Sequence, residues 1–258
     1  MTQKKDAARY PSLEGRAVFI SGGASGIGGE MVSAFARQGA RVAFIDIDAT
    51  AAAQRQEAVL AEGLVKPLFL KVDVRDIAAL QAAIDQCARE LGTIRVLINN
   101  AASDERHAYA EVTPEYWDNS LAINLRHHFF ASQHVAPGMR AVGGGSIINL
   151  GSVSWMRSRP GLIGYTTSKA AINGLTRSMA RELGGAMIRV NSIVPGAILT
   201  ERQARLWRKP EDTEEFLRLQ SLPVVLDAGH VARMALFLGA DDSDGCSGQN
   251  FVVDAGLT

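Results

Sequence analysis

Only two cysteines occur in 258 residues. Cys87 and Cys246 form neither a metal-ligand spacing nor a disulfide framework, so reduced thiols and a cytoplasmic setting are expected. An excess of one charge is missing too. Twenty-seven basic side chains face 27 acidic ones, which leaves no electrostatic reason to expect nucleic acid or an anionic membrane surface as a partner. Apolar types make up 47% of the chain, yet no continuous apolar run reaches the ~18 residues of a membrane span. The opening residues Met1 to Asp6 carry lysines with no apolar stretch behind them, so no secretory signal is read there. Three of the five histidines, His127, His128 and His134, fall in one predicted helix. No carboxylate or cysteine joins them at a supporting spacing, and no metal is expected. Internal repeats and low-complexity tracts are absent as well.

What is present is an alternation of short apolar runs with helical patterns. Residues Met1 to Leu13 are polar and read as loosely ordered. Seven strands are predicted, at 16–21, 41–46, 68–72, 95–98, 146–150, 188–194 and 250–254. Helices fill the intervals. One runs through Gln38, one spans 49–62 after Asp48, one runs from the cap Asp76 to Leu91, and a long one starts at Thr113-Pro114 and weakens at Pro137-Gly138. Two more end at Leu183 and Leu238. No linker divides the chain. The expectation is a single α/β domain over 1–258, a Rossmann-type doubly wound seven-stranded parallel sheet with helices on both faces. The irregular stretch 197–222, at a strand's carboxyl end, reads as a substrate lid.

The first strand runs into Gly22-Gly-Ala-Ser25-Gly26-Ile27-Gly28 and then a helix. Strand, glycine turn and helix place backbone N–H groups and a helix N-terminus on a phosphate, and glycine removes the Cβ that would block close approach. Asp46 ends the second strand 18 residues after Gly28. An acid there accepts hydrogen bonds from an adenosine ribose and repels a 2′-phosphate, which favours NAD over NADP. Asp73 and Val74 follow the third strand, and Asn99-Asn100-Ala101-Ala102 the fourth. The amides and small residues suit a tight backbone passage beside a ligand.

Tyr165 and Lys169 stand four apart where an apolar helical run opens, so both lie on one helix face. A free phenol titrates near ~10, and a neighbouring cation favours its phenolate. Ser152 lies just past the fifth strand, where a hydroxyl can hold a substrate oxygen. Asn124 sits within the long helix with its direction undecided, because every face there is mixed.

Taken in order, these residues resemble the short-chain dehydrogenase/reductase family over nearly the whole chain. The family's Thr-Gly-x-x-x-Gly-x-Gly stands here as Ser21-Gly22-x-x-x-Gly26-x-Gly28, and its Asn-Asn-Ala-Gly as Asn99-Asn100-Ala101-Ala102. Ser152 precedes Tyr165 by 13 residues, the family's spacing. The resemblance implies catalytic Asn124, Ser152, Tyr165 and Lys169. It implies a cofactor held by Gly22, Ser25, Gly26, Ile27, Gly28, Asp46, Asp73, Val74, Asn100, Ala101, Tyr165 and Lys169, with Pro195, Gly196, Ile198 and Thr200 on the nicotinamide side. It also implies a homo-oligomer, tetramer or dimer, with the Tyr165 helix in an interface.

Tyr10-Pro-Ser-Leu, Asp104-Glu-Arg-His107, Asn124-Leu-Arg-His and Gly151-Ser-Val-Ser-Trp155 are similar to bacterial NAD-dependent aldose 1-dehydrogenases of the D-xylose and galactose dehydrogenase type. That likeness implies oxidation of an aldose at C1 to the aldonolactone. Asp104, Arg106, His107, Ser154, Trp155, Arg202 and Trp207 border the predicted site and are the candidate sugar contacts. Two alternatives stay open. One is another alcohol, such as a polyol, a hydroxy acid (Arg157 and Arg159 suit an anion) or a 3-oxoacyl substrate. The other is a catalytically silent dinucleotide-binding protein.

Overall fold

The computed structural model describes residues 8–201, 204 and 210–258. Seven parallel strands form one sheet: β1 (Ala17–Ser21), β2 (Arg41–Asp46), β3 (Leu68–Lys71), β4 (Ile94–Asn99), β5 (Gly145–Leu150), β6 (Ile188–Pro195) and β7 (Asn250–Val253). Their order across the sheet is β3-β2-β1-β4-β5-β6-β7. The helices between them are α1 (Gly26–Arg37), α2 (Ala49–Ala61), α3 (Ile77–Leu91), α4 (Pro114–Leu121), α5 (His127–Ala141), α6 (Ile163–Leu183), α7 (Pro210–Leu219) and α8 (Ala228–Gly239). Strand bounds agree with the sequence expectation to within a residue at each end.

Parallel strands buried on both faces carry near-continuous apolar runs, and alternate residues feed two cores. Val18, Ile20, Phe44 and Ile98 pack on one side with Phe35 of α1 and Leu236 of α8. Ala17, Phe19, Ile45 and Leu97 pack on the other with Leu80 of α3 and Met139 of α5. The chain leaves β1 toward β2 and β3, then returns to lay β4 on the opposite side of β1. This reversal opens a crevice at the carboxyl ends of β1 and β4, the place where such sheets bind ligands.

Three expectations are corrected. Of the stretch 1–13, residues 1–7 lie outside the described residues, and 8–13 are not loose: a 3₁₀ turn, Pro11–Leu13, carries Leu13 into the core at 0% exposure. Gln38 ties it down, accepting from the Tyr10 N–H and donating to the Ala8 carbonyl, both at 2.9 Å. Hydrophobic burial of one leucine outweighs the polar character of its neighbours. Second, the long helix does not weaken at Pro137. It runs to Ala141 with Pro137 inside, because Val135, Ala136 and Met139 are buried against the sheet. Third, a π turn, Ala122–Arg126, interrupts the helix and joins α4 to α5. No apolar periodicity signals such a turn, and turns of this kind occur at functional sites.

Candidate active site

The glycine turn closes against β4. The Ser21 hydroxyl accepts from the N–H groups of Asn100 (3.0 Å) and Ala101 (3.1 Å). The Asn100 side chain donates to the carbonyls of Ser21 (3.1 Å) and Gly22 (2.9 Å). Serine therefore serves where the family has threonine. Gly22 adopts φ +68°, and a Cβ on Gly28 would fall 1.8 Å from the Gly22 carbonyl oxygen. Asp46, at the tip of β2, accepts from the Ala24 N–H at 3.0 Å and the Asp48 N–H at 3.1 Å.

The N-terminus of α1 is open. Asp48, Asp76, Thr113 and Asp227 cap α2, α3, α4 and α8 with their side chains. Ser25, at the same position of α1, makes no capping bond. Uncapped N–H groups at a helix start, beside glycines with no Cβ, fit a pyrophosphate. The segment after β6 faces this turn, since a Cβ on Gly26 would lie 3.7 Å from Thr200 Cγ2. Ile198 is buried, and Gly196 packs where a Cβ would be 2.6 Å from Asp254 Cβ. Val74 is buried at the end of β3, while Asp73 pairs with Arg75.

Lys169 is fully enclosed on α6. Its Nζ donates to the Leu150 carbonyl at 2.6 Å and lies 5.5 Å from the centre of the Tyr165 ring. Burial brings the Lys169 ammonium down to about 7. Burial pushes the Tyr165 phenol up to about 12. A hydrogen bond with Ser152 pulls the other way, and Asp104 pushes it further up. The expected lowering of Tyr165 by Lys169 is thus opposed by desolvation, which disfavours both charged forms. Ser152 Oγ also accepts from the Ser154 N–H at 3.1 Å. Asn124 is buried. It accepts from the Ser103 N–H at 2.9 Å and donates to the Ser120 carbonyl at 3.0 Å, so its side chain is committed to its own chain.

Of the other sequence-derived candidates, Asp104 comes near enough to Tyr165 to act on it electrostatically. Ser154 is buried with a hydroxyl that meets no protein partner, and Trp155 is partly exposed. Burial lowers the Arg159 guanidinium, Arg157 and Arg106 lower it further, and Asp212 and Glu215 on α7 oppose them. The guanidiniums of Arg157 and Arg159 lie 5.1 and 6.0 Å from the Phe216 ring centre. Phe216 thus sets α7 against the segment that follows Ser152. Arg202 and Trp207 lie outside the described residues.

His107 is bound to its own chain on both ring nitrogens, to Tyr116 at 2.7 Å and Ile163 at 3.3 Å. Nothing in the sequence marked Tyr116 or Ile163 as its partners. His127 and His128 are buried and neutral, with His127 brought down to about 3 by desolvation. His127 Nε2 donates to the Ala101 carbonyl at 3.0 Å. Among the described residues no group of three or more His, Cys, Asp or Glu side chains could hold a metal. None of their helices is long and apolar enough to cross a membrane.

A doubly wound sheet, an uncapped glycine turn at its reversal and a Ser–Tyr–Lys set at the neighbouring strand end define an oxidoreductase acting on CH–OH groups. The chain belongs to the short-chain dehydrogenase/reductase family, whose members bind nicotinamide dinucleotides. The family model described as "Enoyl-(Acyl carrier protein) reductase" matches residues 22–258. Among curated relatives, the "Probable galactose dehydrogenase GalD" of Rhizobium meliloti (strain 1021) is 45% identical, over 97% of this chain and 98% of its own. The "D-xylose 1-dehydrogenase" of Caulobacter vibrioides is 44% identical, over 97% and 98%. Among solved structures, a 7α-hydroxysteroid dehydrogenase complexed with NADH and 7-oxo glycochenodeoxycholic acid superposes with TM-score 0.90 at 31% identity, covering 96% of each chain.

Proposed function

We propose that the protein oxidises an aldose at C1 to the aldonolactone, with NAD as cofactor and Tyr165 as the base. One observation carries this reading. Asp104, on the polar Ser103–His107 loop, lies near enough to the Ser152-bonded Tyr165 phenol to act on it, in a chain 44–45% identical over its length to named sugar dehydrogenases. A steroid or long acyl chain asks for an apolar mouth, and Asp104, Glu105 and Arg106 do not provide one. The bound nicotinamide supplies the acceptor for the hydride from C1.

The rest falls to this chain. The Tyr165 oxygen takes the proton of the C1 hydroxyl. Ser152, already paired with Tyr165, holds the reacting oxygen. Lys169, with its Nζ 5.5 Å from the centre of the Tyr165 ring, holds the nicotinamide ribose. Asn124 keeps the π turn closed beneath them and supports a proton path near Lys169. Gly22, Ser25, Gly26, Ile27 and Gly28 hold the pyrophosphate, Asp46 the ribose, Asp73 and Val74 the adenine side, and Asn100, Ala101, Pro195, Gly196, Ile198 and Thr200 the nicotinamide half. Asp104, Arg106, Ser154 and Trp155 meet the sugar, and the lid is the 197–222 segment, whose Phe216 packs against Arg157 and Arg159. The working protein is a cytoplasmic homo-oligomer, tetramer or dimer, with α6 in an interface.

The test is NADH formation against a panel of aldoses (D-xylose, D-galactose, L-arabinose, L-fucose, L-rhamnose and D-glucose), with NADP as the control. Rapid turnover of one or two sugars is expected, with the lactone as product. Silence across the panel with NAD binding intact removes the aldose reading.

Asp46 carries the cofactor preference. Its carboxylate can accept from ribose hydroxyls and repels a phosphate. Asp46→Ala is expected to lower the NAD-to-NADP ratio of kcat/KM by roughly ten- to a hundredfold, the scale of a charged hydrogen bond. An unchanged ratio takes the preference away from Asp46.

A further inference from the structure

We propose that His107 is a positioning residue, one that caps the helix carrying Tyr165 and Lys169 and fixes that helix to the loop after β4. This deepens the reading above and rests on it, because the helix matters catalytically through Tyr165.

The helix α6 begins without a cap of its own. Leu162 occupies the cap position and offers no side-chain acceptor. An acceptor arrives instead from 56 residues upstream, where His107 Nε2 accepts from the Ile163 N–H at 3.3 Å. The His107 main-chain N–H donates to the Gly161 carbonyl at 3.1 Å, so the loop and the helix start are joined at two points. Since Nε2 accepts, the neutral ring carries its proton on Nδ1 and donates it to the Tyr116 hydroxyl at 2.7 Å. That hydroxyl then donates toward the Glu105 carbonyl at 3.4 Å. The two rings also pack, with centres 4.6 Å apart at 58°. Tyr116 lies in the first turn of α4, which Thr113 caps. Gly164 meets α4 so closely that a Cβ there would fall 2.5 Å from Ser120 Oγ.

The first turn of α6 holds Ile163, Gly164 and Tyr165. Its N–H groups have no partner within the helix, and a helix start deprived of its cap frays from that end. Tyr165 is two residues from the capped N–H. Asp104, which acts on the Tyr165 phenol, is three residues from His107 on the tethered loop. One imidazole therefore sets both the position of the phenol and the distance of the carboxylate that opposes its ionisation. The proposal gives His107 this role in place of the sugar contact expected from the sequence, since both ring nitrogens are engaged with the protein.

The experiment compares His107→Ala and His107→Gln with the native chain. The glutamine Oε1 reaches about as far as Nε2 and can accept from Ile163. For His107→Ala, kcat is expected to fall roughly tenfold, with KM for sugar and NAD held within about twofold. The rising limb of the kcat–pH profile should move by about half a unit or more. His107→Gln should recover most of both. A raised sugar KM with kcat and the pH profile intact makes His107 a substrate contact and overturns the proposal. A lower Tm with unchanged kcat and profile makes it merely structural and overturns it equally. Amide exchange at Ile163–Thr166, measured with NADH bound, needs no substrate. Faster exchange in the alanine variant, reversed in the glutamine one, supports the cap even where no aldose is oxidised, and unchanged exchange removes it. Failure of the aldose reading shows separately, in the native enzyme's own sugar panel.

Discussion

Tyr165→Phe should lower kcat about 10²–10⁴-fold, the range a lost general base spans, while NADH still binds within about twofold of its native affinity. The substitution removes one oxygen from a side chain that is otherwise held by α6. Neither the glycine turn nor the Lys169–Leu150 bond depends on that oxygen. The pH dependence sharpens the test. Burial places the Tyr165 phenol at about 12 in the protein alone, above its ordinary value. A base must be deprotonated to act, so the native oxidation rate should climb as pH rises from neutrality toward that value. The phenylalanine variant should lose the climb together with the rate. Survival of turnover would transfer the base role to Lys169. Burial brings that amine to about 7, and it is then partly neutral at neutral pH.

The second large effect lies at the cofactor turn. Gly28→Ala should abolish measurable NAD binding, a loss of about 100-fold or more, and should destabilise the chain by about 1–3 kcal/mol, the usual cost of overpacking. The backbone angle at Gly28 is not the cause. The cause is space: the added methyl would sit 1.8 Å from the Gly22 carbonyl oxygen and 2.6 Å from Asn100 Nδ2. Either the turn opens or the Asn100 bonds to Ser21 and Gly22 break, and both displace the N–H groups at the start of α1. Gly245→Ala is the matched control, because a Cβ there meets nothing within 4 Å. Isothermal titration with NADH and thermal melts on both variants decide the matter. Native-like NADH binding by the Gly28 variant would mean that the turn adapts and that the close contact with Gly22 is not what shapes the site.

Much of this molecule was legible before any coordinates. Strand and helix limits come from apolar runs, from Asp48, Asp76 and Thr113 as caps, and from glycines at the stops, all of which act over a few residues. The glycine turn and the four-residue spacing of Tyr165 and Lys169 are likewise local. Leu13 was not legible, because its burial depends on the groove it meets between elements far along the chain. The π turn was not legible either. A one-residue expansion leaves the apolar pattern nearly unchanged, and the Asn124 bond to Ser103 made within it joins residues 21 apart in the chain.

Sequence alone determined the doubly wound sheet, the glycine turn between β1 and α1, the acid at the end of β2 and the four-residue spacing of Tyr165 and Lys169 on one helix, since each follows from local patterns. Tertiary structure decided what those residues face. Asn100 is bonded to Ser21 across 79 residues and His107 to Ile163 across 56. Such pairs exist only once β4 lies beside β1 and the carboxyl ends of the strands come together. The protonation of Tyr165 and Lys169 was decided there as well. Spacing puts an amine near a phenol, but only packing sets how much water each retains, and burial is the largest influence on both groups at this site.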